Sequence, residues 1–267
     1  MTMATAAAPV GDHLREWRRR RRMSQLDLAC EAEISTRHLS FVETGRAAPS
    51  REMILRLAEQ LEIPMRERNV LLVAAGYAPI FPERDLAAPE MAAARQALEV
   101  LIEGHKPYPA YALDRHWNIV ASNGALPQLF EGVDPALLSA PVNALRLSLH
   151  PDGLAPRIVN LAEWREHLFA RLRRQIDLTA DAVLIELLAE AREYARHSSA
   201  GRVPHAVQGG SDMLIPFRVR IGDQVASFVS TTMVFGTSVE VTLSELALES
   251  FFPADAETAV LVRRLAG

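Results

Sequence analysis

Ser24-Gln-Leu-Asp-Leu-Ala-Cys-Glu-Ala-Glu-Ile-Ser-Thr-Arg-His-Leu-Ser-Phe-Val-Glu-Thr-Gly-Arg46 decides how the first third of this chain folds. Ser24 stands where a hydroxyl can accept from the free N–H groups of a first helical turn, and it opens a helix that carries Leu28, Ala29 and Ala32 inward. Ser35 opens a second helix, with Leu39 and Val42 inward, that stops at Gly45. Working outward, a preceding helix spans about Asp12 to Arg22 with Leu14 and Trp17 as its apolar positions. Downstream, Ser50 caps a fourth helix carrying Ile54, Leu57, Ala58 and Leu61, and a fifth starts after Pro64 and ends at Gly76. Five short helices, each with one inward stripe, predict an all-α unit.

This stretch resembles the XRE family of phage-repressor-like helix-turn-helix proteins, from Leu14 to about Gly76. The Ser-Gln helix start, Leu-Ala, Leu-Ser, Glu-x-Gly-Arg and Pro-Ser elements all fall in register. One departure is Glu33, where the family has Gly in the turn; a left-handed residue with a side chain costs about 1 kcal/mol. The resemblance implies a λ-repressor-like domain bound to double-stranded DNA. Helix two would present its first N–H groups and Gln25 to a phosphate. Helix three would enter the major groove with Ser35, Thr36, Arg37 and Ser40, and Arg37 would pair bidentately with guanine. Thr44, Arg46 and Arg51 would contact the DNA backbone. Arg18 and Glu43 stand at positions that form a buried ion pair in this family. A solvated helix face is the alternative reading of Arg37 and Arg46. Trp17 reads as core, and Cys30 as an outward residue without a partner thiol.

Charge supports that division. Over the whole chain of 267 residues the formal net charge is −4. Residues 1–80, however, carry 12 Arg against 10 Asp and Glu, a net of +2, and Arg18 to Arg22 is an unbroken basic run. A local basic patch attracts phosphate whatever the whole-chain sum. With 49% hydrophobic and 23% charged residues the composition is that of a globular protein. One cysteine excludes an internal disulfide and suits a reducing, cytoplasmic setting. The start of the chain lacks the basic-then-apolar order of a signal peptide, and the longest apolar stretch, Val70 to Phe81, is too short to span a bilayer. No nucleophile elbow, phosphate loop or paired metal-binding His spacing occurs, so neither catalytic residues, nor a cofactor, nor a metal site is expected.

Pro and Gly density marks Ala78 to Pro89 as a linker, followed by a helix from Met91 to Glu103. The expected layout is residues 1–80 as the DNA-binding domain, 81–104 as linker and connecting helix, and 105–267 as a second domain. In the latter, Ala110–Asp114 and Trp117–Asn123 read as a hairpin. Helical stretches Ala140–Leu149, Leu154–Ile176 and Ala180–Tyr194 follow. Strands return at Leu214–Ile221, at Val225–Phe235 after a Gly222-Asp223 turn, and around Glu245–Phe252, before a last helix from Ala256 to Leu265. Five strands with helices inserted after the second predict an α+β domain.

Ala112-Leu-Asp, Ala121-Ser-Asn123, Asn143-Ala-Leu-Arg146, His150-Pro-Asp-Gly-Leu154, Arg171-Leu-Arg-Arg174 and the stretch from Thr237 to Asp255 resemble the MmyB-like ligand-binding domain found after such helix-turn-helix modules. The resemblance runs from roughly Leu98 to the last residues. It implies a PAS-like fold with a five-stranded antiparallel sheet and a fatty-acid-like ligand. Pocket walls would come from Trp117, Leu147, Met213, Phe217, Phe228, Met233 and Phe235, with Asn123, Arg146 and His150 at the polar end. Each has a structural alternative: Asn123 as a turn residue, His150 as a helix end, the wall residues as plain core. Two readings of this domain stay open, a sensor of a small hydrophobic molecule and a dimerisation scaffold. Because one helix-turn-helix makes few base contacts, a homodimer on a palindromic operator is expected in either case.

Overall fold

The computed structural model describes residues 8–125, 127–197, 215–236 and 238–266. They form two compact units. The first contains α1 (Val10–Arg20), α2 (Gln25–Glu31), α3 (Thr36–Glu43), α4 (Arg51–Gln60) and α5 (Met65–Ala74). Each serine named from the sequence caps its helix: Ser24 accepts from the Asp27 amide, Ser35 from His38 and Ser50 from Met53. Leu14, Leu28, Leu39, Ile54, Leu57 and Leu72 are wholly buried in one cluster, and Trp17 joins it. Helix α1 starts two residues earlier than the pattern suggested, because the Pro9 carbonyl accepts from the Asp12 and His13 amides. It ends at Arg20, two residues earlier than the pattern suggested, and a left-handed Arg22 (φ 57°) follows.

The turn between α2 and α3 needs a left-handed residue. Glu33 supplies it at φ 54°, and the Ile34 amide closes the turn on the Ala29 carbonyl at 2.9 Å. The departure from glycine therefore keeps the geometry at the cost of local strain. Gly11 has a different role. A Cβ there would lie 2.5 Å from the Val42 carbonyl oxygen and 2.8 Å from that of Glu43. Only a glycine lets α1 lie against the end of α3 at that distance.

The second unit starts with α6 (Ala92–Glu103), then β1 (Ala110–Leu113) and β2 (Ile119–Ser122). Next come α7 (Ala144–Leu149), α8 (Leu161–Thr179) and α9 (Ala182–His197). The chain continues through β3 (Phe217–Ile221), β4 (Gln224–Val234), the short α10 (Val241–Ser244), β5 (Ala247–Pro253) and α11 (Ala256–Ala266). The sheet order is β2-β1-β5-β4-β3, every pair antiparallel. Gly222, at φ 57°, turns β3 into β4 in two residues.

Three helical boundaries differ from the sequence pattern. Helix α7 begins only at Ala144, because Asn143 Oδ1 accepts from the Leu145 and Arg146 amides and fixes the start. Between Leu154 and α8 the chain makes a single 3-10 turn at Ala155–Arg157. It then straightens so that the Val159 amide reaches the Arg218 carbonyl at 2.8 Å. Ahead of β5, residues 241–244 are helical, so the strand starts at Ala247.

Side chains alternate across β1 as a strand requires. Ala110 and Ala112 pack with Leu98 and Ile102 of α6 and with Leu248. Tyr111 and Leu113 face the larger core, where Trp164, Leu168 and Leu172 of α8 and Leu184, Leu187 and Leu188 of α9 meet Phe217, Phe228 and Phe251.

Candidate nucleic-acid interface and ligand recess

The start of α3 is exposed at Ser35 and Arg37 and half-exposed at Thr36 and Ser40. Thr44, Arg46 and Arg51 are exposed as well. Ser35 Oγ accepts from the His38 amide at 3.2 Å, and Thr44 Oγ1 donates to the Ser40 carbonyl at 2.7 Å. Both hydroxyls keep further hydrogen-bonding capacity. The Arg37 guanidinium lies 5.3 Å from the Phe41 ring centroid, one turn along the same helix. Among the described residues Arg37, Arg46 and Arg51 have no carboxylate partner. Three guanidiniums therefore face solvent with their charge uncompensated by the fold.

Behind this surface lies a closed network. Arg18 Nε and Nη2 donate to Glu43 Oε1 and Oε2 at 2.6 and 2.9 Å. Arg18 Nη1 reaches the Met23 carbonyl at 2.9 Å. Gln25 Nε2 donates to Glu43 Oε2 at 2.8 Å, leaving one amide proton for another acceptor. Arg15, which sequence reasoning missed, donates to the Glu43 carbonyl at 2.6 Å. The Glu43 side chain is 0% exposed. Burial alone would raise its carboxyl, yet the bonds from Arg18 and Gln25 and the charges of Arg18 and Arg15 outweigh it and hold the group below its ordinary value. The last turn of α3 is thus tied to α1 and α2 by a charged, fully bonded group.

The five-arginine run disperses as helical geometry requires. Arg18 serves the network, Arg20 pairs with Glu16 at 3.0 Å, and Arg21 donates to the Leu61 and Glu62 carbonyls. Arg21 also lies over the buried Trp17 ring. Cys30 is exposed.

In the second unit, Tyr111, Leu147, Trp164, Phe217 and Phe251 line a recess of about 40 Å³ between sheet and helices. That volume holds a few water-sized groups and is far below the several hundred Å³ of an open ligand pocket. Of the expected walls, Leu147 and Phe217 border it. Phe228, 0% exposed, is core. Trp117 is buried at φ 69°, its Nε1 donating to Gln175 Oε1 at 2.8 Å. Met233 is 52% exposed and forms no wall, because it pairs with Leu248 and so points to the sheet face opposite Tyr111 and Phe251. Met213 lies outside the described residues.

The expected polar end is arranged differently. Asn123 is buried and spent on the fold: Oδ1 accepts from Ala110 and Ala125, and Nδ2 donates to the Ile102 and Tyr108 carbonyls. No polar capacity remains for a ligand. Arg146 forms a two-bond pair with Glu190, both at 2.8 Å, on a half-exposed face away from the recess. His150 ends α7, accepts from the Asp152 amide and packs edge-on against Tyr194.

A buried acid next in register to Tyr111, which lines the recess, is one the sequence reading passed over. Glu249 on β5 is buried between Tyr111 and Thr232 in the strand register. It pairs with Arg171 of α8 and accepts from Thr232 Oγ1 at 2.9 Å. Arg171 also covers the Trp117 ring at 4.8 Å. A readable signal existed: in Ala247-Leu-Glu-Ser-Phe251, Glu249 shares the strand phase of the inward Phe251.

Two family models match, a helix-turn-helix domain over residues 9–71 and the MmyB-like transcription regulator ligand binding domain over residues 94–265. The chain belongs to the MmyB-like transcription regulators. It is also similar to the uncharacterized HTH-type transcriptional regulator RghRB of Bacillus subtilis (strain 168), with 38% identity over 77 residues. That match covers 28% of this chain and 53% of the relative, so the chain spans about half the length of the curated relative it matches. Among the described residues no helix is long and apolar enough to cross a membrane.

Proposed function

We propose that this chain is a sequence-specific DNA-binding transcription regulator of the cytoplasm, and not an enzyme, with a second domain that responds to a small hydrophobic, fatty-acid-like molecule. The observation that carries the DNA reading is the contrast between arginines. Arg18 is locked onto buried Glu43, while Arg37 at the exposed start of α3, and Arg46 and Arg51 beyond its end, are left without carboxylates among the described residues. In this reading Arg37 pairs with a guanine, aided by Ser35, Thr36 and Ser40, while Thr44, Arg46, Arg51 and the spare proton of Gln25 hold phosphates. Two copies bind a palindromic operator, since one module makes too few base contacts for useful specificity. The strand order β2-β1-β5-β4-β3 with helices between β2 and β3 supports a PAS-like second domain.

The test begins with selection of binding sites from random duplex DNA by the full chain. Arg37→Ala should then cost about 1–3 kcal/mol on the selected site and relax one base position, whereas Arg46→Ala should weaken all sequences alike and lower the salt slope by about 1. Uniform loss in both variants would make Arg37 a phosphate contact. A protein that selects no sequence would end the reading.

The small recess and the engagement of Asn123 and Arg146 favour a second reading of the other domain, as a dimerisation scaffold. Solvent extraction of purified protein followed by mass spectrometry separates the two. A stoichiometric amphiphile supports the sensor; its absence, with no thermal shift from added amphiphiles, supports the scaffold.

A further inference from the structure

Helix α3 carries one large apolar side chain that its core does not use. Leu39 and Val42 point into the buried cluster of the first unit, while Phe41, between them in sequence, stays outside that cluster among the described residues. Its ring is half-buried. The backbone beneath the ring is fixed, since the Phe41 carbonyl accepts from the Arg46 amide at 2.8 Å and from the Ala47 amide at 3.1 Å. By their spacing Arg37, Ser40, Phe41 and Thr44 share one face of the helix, the face expected to meet DNA.

A second observation ties this ring to the start of α3. The Arg37 guanidinium lies over it, 5.3 Å from the centroid. Aromatic side chains on a helix lean toward its N-terminus, so Phe41 covers the turn that begins α3. The attraction engages the π-face of the ring and none of the five guanidinium N–H groups, which stay available to a base. Arg37 and Phe41 thus present, side by side, a fork of donors and an apolar surface.

What such a pair accepts follows from the base edges in the major groove. The fork matches O6 and N7 of guanine. The ring offers no hydrogen bond, and against an amino or carbonyl group it would remove water without replacing the bond. Thymine alone of the four bases presents an apolar group there, its C5 methyl. Neighbouring bases along a strand are about 3.4 Å apart, a step that a guanidinium and a ring in contact can span.

We propose that Phe41 is a base reader, packing on the methyl group of a thymine that adjoins the guanine read by Arg37, so that α3 recognises a two-base step and not a lone guanine. The inference rests on the reading in which α3 enters the major groove, and it gives an apolar side chain a share of the specificity.

The test uses the full chain and the duplex it selects from random DNA. The selected site should hold a thymine next to the guanine whose preference Arg37→Ala relaxes. Deoxyuridine in place of that thymine removes the methyl alone. It should weaken wild-type binding about three- to fivefold, the effect of no longer withdrawing one methyl group from water. Phe41→Ala should bind the thymine and deoxyuridine duplexes alike. A ring that merely supports α3 would instead lower both affinities on substitution and leave their ratio unchanged, which would overturn the proposal. A selected site with no thymine beside that guanine would overturn it too. So would wild-type protein that binds both duplexes equally, a measurement that needs no variant to fold. A chain that selects no sequence would instead overturn the groove reading on which the proposal rests.

Discussion

Replacing Arg18 by Met keeps the aliphatic stem and removes the guanidinium. Glu43 then stays buried with Gln25 at 2.8 Å and Arg15 Nε at 3.7 Å as its remaining partners. Breaking one side of a buried pair costs about 3–5 kcal/mol, and these two survivors place the loss at the lower end, about 3 kcal/mol. The double variant Arg18→Met with Glu43→Leu removes both charges. Apolar replacement of a buried pair is often neutral, so most of the loss should return. A residue of about 1 kcal/mol remains, because the Gln25 amide and the Met23 carbonyl lose their partners. The assay is urea unfolding, by far-UV circular dichroism, of a fragment covering residues 8–83, whose buried cluster runs from Leu14 to Leu72. With a slope of about 1 kcal/mol per molar urea, the midpoint should fall by about 3 M in the single variant and about 1 M in the double. A single variant costing under about 1 kcal/mol, or a double variant no more stable than the single, would refute the reasoning. The pH dependence has a fixed sign. Glu43 is held below its ordinary value, so its contribution is complete above the unfolded value of about 4.3 and is lost as pH falls through the folded one. The wild-type advantage over the double variant should be flat from about pH 5 to 8 and shrink in stronger acid.

Gly11→Ala pushes a methyl into two carbonyl oxygens of α3, neither able to give way alone. It should cost about 1–3 kcal/mol in the same unfolding assay and also weaken operator binding, as α3 shifts; an unchanged midpoint would mean that α1 can slide. Glu33→Gly relieves the left-handed strain and should stabilise by up to about 1 kcal/mol, less whatever the unfolded chain gains in freedom, and a loss of stability would point to an unseen role for the carboxylate. Asn123→Leu strands the Ile102 and Tyr108 carbonyls and should cost about 3 kcal/mol. Differential scanning calorimetry of the full chain would show this as a lower midpoint for one transition only, and a drop shared by both would count against independent units.

The helices of the first unit were legible because their signals are local. A serine that caps its own first turn, or a glycine that ends one, acts over three or four residues, and Ser24, Ser35 and Ser50 behave in the fold as their spacing required. The same holds for the alternation along β1 and the Gly222-Asp223 turn. Boundaries were less legible wherever a distant partner set them. The stretch before α8 leaves the helix because Val159 finds the Arg218 carbonyl, and no pattern near Val159 announces that.

Site residues divide along the same line. The sequence, through its motif register, determined which arginine stands at the start of α3 and which acid could meet Arg18. Only the tertiary structure decided that Arg146 turns outward to Glu190, that Asn123 is used up between α6 and β1, and that Gly11 lets α1 touch the α3 backbone. It also decided that Glu249 and Arg171, 78 residues apart, meet beside the recess. Hydrogen-bond capacity and charge are properties of a residue, but whether they are spent depends on which partner the sheet order and helix placement bring within 3 Å.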